Sequence, residues 1–255
     1  MTVDPRIKDF RNFLYLCWEH LNLPDPTPIQ YDIADYIQHG PKRRVVQAFR
    51  GVGKSWITSA YVVHQLLLDP SMNILVVSAS KQRSDDFSTF TLRLINEMPV
   101  LQHLRPKDSQ RNSKVAFDVA PAPASHAPSV VSKGITSQIT GSRADLIIAD
   151  DVESLNNSAT QMMRDKLGEV IKEFDAVLKP GGDILFLGTP QTESSLYSVM
   201  PERGFKTRIW PARYPTSKQR KGYGEYLAPT IADQLDADPE LAEAPTDPGR
   251  FDDTD

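Results

Sequence analysis

The sequence predicts an α/β fold: a mainly parallel sheet flanked by helices, with an added antiparallel hairpin. Three observations carry this. Short apolar runs ending in small or polar residues recur, at Val45-Val46, Ile74–Ser80, Leu146–Ala149 and Ile184–Thr189, which is the pattern of strands buried on both faces. Between them lie longer stretches with apolar residues at helical spacing, so strands and helices alternate along the chain. Two of the strand ends run into chemically loaded loops, Gln47–Ser55 and Asp150–Glu153.

Length and composition bound the answer. At 255 residues the chain is long enough for one large domain or two small ones, and 40% hydrophobic with 24% charged residues is ordinary for a globular protein. The net charge of −4 gives no global basic field, so any contact with nucleic acid has to be local. The single cysteine, Cys17, excludes an internal disulfide framework and a cysteine metal cluster. Met1-Thr-Val-Asp-Pro-Arg6 has no signal-peptide pattern, and no apolar run approaches the roughly 18 residues of a membrane span. There is no internal repeat.

In chain order, Phe10, Phe13, Leu14, Cys17 and Leu21 predict an amphipathic helix over 6–21. Thr27 is a good N-cap and Pro28 suits a first helical turn, so a second helix runs over about 28–38. The strand at 74–80 leads to a helix over about 82–98, with Phe87, Phe90, Leu94 and Met98 on one face. Lys81, Gln82 and Arg83 fall at that strand's C-terminal edge, where open α/β sheets bind ligands. They read either as contacts to DNA or phosphate or as a solvated loop. Pro106, Pro121, Pro123 and Pro128 break up the next stretch, where 113–119 and 129–135 form the antiparallel pair. Asn156-Asn157-Ser158 caps a helix over about 159–177, which ends near Lys179-Pro180-Gly181-Gly182. Lys206–Pro211 is a further strand. The tail then changes character. Nine acids, Asp233, Asp236, Asp238, Glu240, Glu243, Asp247, Asp252, Asp253 and Asp255, stand against Arg250 alone, with three prolines among them. This predicts one domain over 1–230, led into by the helices at 6–38, and an acidic linker or disordered tail over 231–255.

The loop Gln47-Ala-Phe-Arg-Gly-Val-Gly-Lys-Ser55 sits between a strand and a helix and ends as a phosphate-binding loop does. Backbone N–H groups of Phe49, Arg50, Gly51, Val52 and Gly53 converge on phosphate oxygens in such a loop, and the helix start adds about half a positive charge. Lys54 reaches the β and γ phosphates, and the Ser55 hydroxyl holds Mg²⁺. The pattern asks for glycine at position 48, where the chain has Ala48; a small residue there still lets the backbone come close. The alternative reading is a glycine turn before a buried helix with a solvated Lys54, which sits less well because a lysine at a helix start opposes the macrodipole.

Leu146-Ile-Ile-Ala-Asp150-Asp151-Val-Glu153 is an apolar strand ending in paired acids. In that position the first acid, Asp150, orders Mg²⁺ and the next orients an attacking water. The separation from Lys54 leaves room for two strands and a helix. The two loops together place the chain among P-loop NTPases of the ASCE, RecA-like kind and call for ATP and Mg²⁺. Thr189, at the tip of the strand from Ile184, reads either as a sensor of the γ-phosphate or as an ordinary strand-end threonine. Thr27-Pro-Ile-Gln30 resembles the Q motif of helicase-like ATPases, in which a glutamine amide pairs with donor and acceptor on the adenine edge. A capped surface helix with an exposed Gln30 is the other reading.

The chain resembles the ATPase half of the large terminase subunit of tailed bacteriophages, the short-tailed lytic type above all. Phe49-Arg-Gly-Val-Gly-Lys-Ser55, Thr27-Pro-Ile-Gln30, Ala149-Asp-Asp-Val-Glu153 and Leu187-Gly-Thr-Pro190 carry the resemblance, over roughly residues 5–230. The family places an arginine four residues before the lysine of the loop, here Arg50, and tolerates loops without the first glycine. The resemblance implies a packaging motor that hydrolyses ATP to push double-stranded DNA through a portal protein into a preformed capsid. It further implies a small terminase subunit as partner, a homo-oligomeric ring on the portal, the host cytoplasm as location and no membrane. Family members also carry a C-terminal nuclease; the chain ends where that domain starts, so no DNA cleavage is expected from it.

On this reading Asp151 is the water-positioning base by its place, with Glu153 as the alternative because aspartate is one methylene shorter than the glutamate usual there. Arg143, just before the acidic strand, resembles the arginine that some terminases offer to a neighbouring subunit, a contribution of about 10³–10⁵ in rate for such fingers. Two other functions stay open from sequence: a helicase-like ATPase fragment, and a nucleotide-binding assembly module that docks on portal or small subunit without turnover.

Overall fold

A computed structural model describes residues 4–189 and 195–250. Pro190 of the Leu187-Gly-Thr-Pro190 stretch and the acids Asp252, Asp253 and Asp255 lie outside the described residues.

The elements alternate as the periodicity predicts. A 3₁₀ turn, Pro5–Lys8, precedes α1 (Phe10–His20), so the first predicted helix is broken at Asp9, whose side chain accepts from Arg11 N as an N-cap. Then follow α2 (Pro28–His39), β1 (Arg43–Ala48), α3 (Lys54–Leu68), β2 (Ile74–Ser78), α4 (Lys81–Glu97), β3 (Ala116–Phe117), β4 (Val130–Gly134) and β5 (Ala144–Asp150). The second half holds α5 (Leu155–Ser158), α6 (Gln161–Val177), β6 (Leu178–Gly188), α7 (Leu196–Val199), β7 (Lys206–Trp210), α8 (Ser217–Tyr223) and α9 (Pro229–Ala237).

Seven strands form one sheet in the order β3-β4-β2-β5-β6-β1-β7. Every pairing is parallel except β3 with β4, the short antiparallel pair expected between 113 and 135. Side chains alternate across the sheet. Val46, Val76, Ile148 and Leu187 face α1 to α4, while Val45, Val77, Ile147 and Phe186 face α6 and α7. Both faces are covered, which is why the strands read as continuous apolar runs.

Three expectations are corrected. Thr160, accepting from Met163 N, caps α6; Asn157 instead closes a capping box around α5. Lys179-Pro180-Gly181-Gly182 is not a loop past a helix end but the bulged start of β6, between the pairs Ala144–Leu178 and Leu146–Asp183. Gly181 has φ +82°, a conformation that suits glycine.

The third correction is the tail. The expected boundary at 230 falls inside α9, whose Ile231 and Leu235 are buried against the sheet's first face. Beyond it, Tyr214 N donates to Ala244 O (2.9 Å), Thr246 N to Ala212 O (2.9 Å) and the Thr246 hydroxyl to Pro211 O (2.7 Å). Asp247 is buried and accepts from the Thr27 hydroxyl at 2.7 Å. Acidic composition predicts a solvated chain, but two apolar side chains one helical turn apart and a few satisfied backbone groups suffice to seat this one.

Candidate nucleotide site

The C-terminal ends of β1, β5 and β6 lie side by side at one sheet edge, with Gln47 opposite Gly188 and Asp150 opposite Leu187. The loop 49–53, the paired acids and Thr189 therefore converge, though they are far apart in sequence.

Gly51 and Gly53 have φ +90° and +85°, which explains both glycines. Gly53 is the N-cap of α3 and supplies no side chain to its first turn, so the helix start is left open for an anion. Ala48 is the last residue of β1, buried and without positive φ, so no glycine is needed at that position. Val52 is fully buried and anchors the loop in the core; Phe49 packs against the same cluster.

Lys54 is nearly buried, and its ammonium donates to Ala48 O (2.6 Å), Phe49 O (3.1 Å) and the Thr189 hydroxyl (3.2 Å). Burial pushes its pKa down, against the pull of the Asp151 and Asp150 charges. Thr189 also donates to Ala48 O at 3.2 Å. The Ser55 hydroxyl meets the Asp150 carboxylate at 2.9 and 3.1 Å. Burial first, and the neighbouring Asp151 charge second, raise Asp150 from the ordinary 3.8 to about 6.

Over this floor lies a cavity of about 480 Å³ lined by Arg50, Gly51, Gly53, Lys54, Ser55, Asp151 and Thr189. A second, of about 430 Å³, adjoins it at Ser55, Trp56 and Asp151 and is walled by Arg83 and Asp150. Arg83 is thus turned to the site. Lys81 is paired with Asp85 (2.8 Å), and Gln82 donates to Asp86 (2.8 Å).

Three expected site residues stand elsewhere. Gln30 is fully buried; its amide donates to Val52 O at 2.8 Å and its carbonyl accepts from Thr27 N at 3.1 Å. It clamps the phosphate loop and is not presented to an adenine edge. Glu153 is buried on the other side of β5, where its carboxylate accepts from the Ser195 hydroxyl and from Leu196 N (3.1 Å), so it caps α7 and does not line the cavity over the loop. Arg143 is exposed at the far end of β5, donating to Ser142 O (3.0 Å) and Ala176 O (3.4 Å). Seven residue steps along an extended strand, about 23 Å, separate it from Asp150, so it does not reach the loop of its own chain.

Asp151 does line the cavity. It holds φ +44°, a left-handed turn that aspartate tolerates, with its N–H on Leu187 O at 3.0 Å. Sequence reasoning missed Trp18, Leu23, Trp56 and Arg250, which also line it. The signal for Arg250 was present: it is the one cation in the acidic tail. Among the described residues, no cluster of three His, Cys, Asp or Glu side chains is arranged for a metal. One buried carboxylate and one hydroxyl fit a Mg²⁺ that takes its remaining ligands from phosphates and water.

No family model matches the chain. Over 250 residues it is 50% identical to the large subunit of terminase from Enterobacteria phage T3. The chain is a homologue of the terminase large subunit. The match takes in 96% of the chain and 43% of the phage T3 protein, so this terminase homologue spans less than half of that relative's length. Among solved structures it is similar to the large terminase ATPase domain of Thermus phage P74-26, at 15% identity and TM-score 0.49 over 92% of this chain and 97% of that one. It is also similar to S. cerevisiae Dbp5 bound to Nup159, Gle1, IP6 and ADP, at 13% identity and TM-score 0.50 over 78% of this chain and 50% of that one. The Dbp5 likeness shows the α/β fold and nothing finer. Half the sequence held in common with a terminase outweighs it, and the helicase-like reading is set aside.

Proposed function

We infer that this terminase homologue is the ATPase motor domain of a DNA-packaging enzyme. It hydrolyses ATP to drive double-stranded DNA through a portal into a preformed capsid. The observation that supports this most is the pairing of Ser55 with Asp150 beneath an uncapped helix start, beside Lys54. That is a seat for a triphosphate and its cation, built from two loops about a hundred residues apart.

The loop 49–53 and the start of α3 bind the phosphates through backbone N–H groups. Lys54 exchanges the carbonyls of Ala48 and Phe49 for phosphate oxygens, and Arg50 adds a second positive charge at the cavity wall. Ser55 and Asp150 would hold Mg²⁺, which would supply positive charge against the triphosphate. Asp151, the carboxylate on the cavity wall, orients the attacking water; Glu153 shapes the turn from behind. Thr189 bridges Lys54 and Ala48, so loss of the γ-phosphate alters the contacts of the strand end that carries it. Arg143 serves a neighbouring subunit of a ring, because its own site is at the opposite sheet edge. The partners are portal, small terminase subunit and DNA, and the place of work is the host cytoplasm. No described helix is long and apolar enough to cross a membrane.

The test is Mg²⁺-dependent phosphate release by the chain beside Lys54→Ala, with and without linear duplex DNA and portal. Release that disappears in the variant and rises with the partners is expected. Nucleotide binding without release in every condition would replace the motor by a docking module.

A further inference from the structure

Beside Lys54, Ser55, Asp151 and Thr189, the cavity over the phosphate loop is lined by Trp18, Leu23 and Arg250. Gln30, the residue expected to read the base, is spent on the loop. Trp18 is 1% exposed and its indole N–H is buried without any hydrogen-bond partner. A buried donor left unmet is costly unless a ligand supplies an acceptor. Leu23 follows from the end of α1, with its N–H on Trp18 O at 3.0 Å.

Arg250 arrives from the other end of the chain. It donates to Gly51 O at 3.3 Å, and its guanidinium lies 3.9 Å from the point where a Cβ on Gly53 would stand. The segment that brings it is seated. Arg250 N donates to Asp247 O (3.0 Å), the buried Asp247 carboxylate accepts from Thr27, and the Thr246 hydroxyl donates to Pro211 O and Ala212 O. A planar guanidinium stacks on aromatic rings and donates in its own plane.

We propose that Trp18, Leu23 and Arg250 form the subsite for the base and ribose of the nucleotide. The indole N–H donates to a ring nitrogen or sugar oxygen, Leu23 supplies an apolar wall, and the guanidinium lies against the base. The C-terminal segment is then part of the nucleotide site rather than an appendage to it. The assignment rests on reading the cavity as a nucleotide site, and its test keeps the two apart.

Calorimetric titration of the full chain with Mg·ATP and with Mg·tripolyphosphate, which has no base, separates contacts to base and ribose from contacts to the phosphates. Arg250→Ala and Trp18→Phe each weaken ATP by about tenfold and leave tripolyphosphate within about twofold. Lys54→Ala weakens both ligands. Unchanged ATP affinity in Arg250→Ala, or parallel weakening of the two ligands, overturns the subsite. Failure of the unaltered chain to bind either ligand, or indifference of both to Lys54→Ala, overturns the nucleotide reading and the subsite with it. Trp18→Phe keeps most of the ring in place; should it unfold, the exposed Arg250 decides alone.

Discussion

Replacing Asp150 by asparagine should make the protein more stable, by a margin that opens above about pH 4 and is complete above about pH 6. The carboxylate is almost wholly buried, accepts a hydrogen bond from Ser55 and stands next to the Asp151 charge. Burial and that neighbour raise its pKa to about 6, while Ser55, Lys54 and Arg83 pull the other way. In the unfolded chain it titrates near the ordinary value of about 3.9. A carboxyl with a raised folded pKa binds its proton more tightly when folded. Below about pH 4 it is protonated in both states and carries no penalty. Between about pH 4 and 6 the penalty grows, and above that it is complete. A rise of about two pH units corresponds to ~3 kcal/mol. Asparagine has the same shape, carries no charge, and its oxygen still accepts from Ser55.

Urea unfolding in EDTA, followed by circular dichroism, should therefore show Asp150→Asn more stable than the unaltered chain by ~2–3 kcal/mol at pH 8 and equal to it at pH 4. Groups that do not face Asp150 titrate alike in both proteins and cancel in the difference. A variant less stable at pH 8, or a gain that is the same at both pH values, would refute the claim that burial raises this carboxyl. The same substitution should abolish Mg²⁺-dependent nucleotide hydrolysis. A charge kept in a dry site at the expense of folding is what a cation site requires.

The other predictions concern the remaining site residues. Asp151→Asn should stop phosphate release and spare nucleotide binding, whereas Glu153→Gln should keep turnover and lose ~1–3 kcal/mol of stability as the cap on α7 weakens; a phosphate-release assay giving the reverse pattern would move the base to Glu153. Arg143→Ala should leave single-turnover hydrolysis by the isolated chain unchanged, and a loss there would place Arg143 in its own site. Ala48→Gly should cost ~0.5–1 kcal/mol in thermal or urea unfolding with no gain in nucleotide affinity, since position 48 is ordinary extended backbone; tighter binding would mean that the alanine is a defect after all.

Most of the fold was legible because its signals are local. A strand buried on both faces writes itself as an apolar run, and each run led to a strand within a few residues. The floor of the site was legible for the same reason: strand, Gly51-x-Gly53-Lys54-Ser55 and helix are contiguous, and Asp150 ends its own strand. Charge composition misled where it was averaged. Nine acids over 25 residues hid Ile231 and Leu235, two apolar side chains four apart, which is all that α9 needs to dock. Position relative to a strand end misled as well. Glu153 lies only three residues after Asp150, yet the turn at Asp151 sends it to the opposite face of the sheet, where it meets Ser195.

Gln30 marks the limit of such reading. Thr-Pro-x-Gln is at once a base-reading motif and a capping box, because both need a glutamine amide three residues after a threonine hydroxyl. The spacing within the motif is satisfied by either role. What decides between them is Val52, 22 residues away, whose carbonyl takes the amide proton. Asp247, 220 residues away, takes the threonine hydroxyl. One buried hydrogen-bond chain therefore runs from the C-terminal segment through Thr27 and Gln30 into the backbone of the phosphate loop. Each link joins elements that no window along the sequence contains together. The loop expected to bind phosphate is thus held from behind by the C-terminal segment.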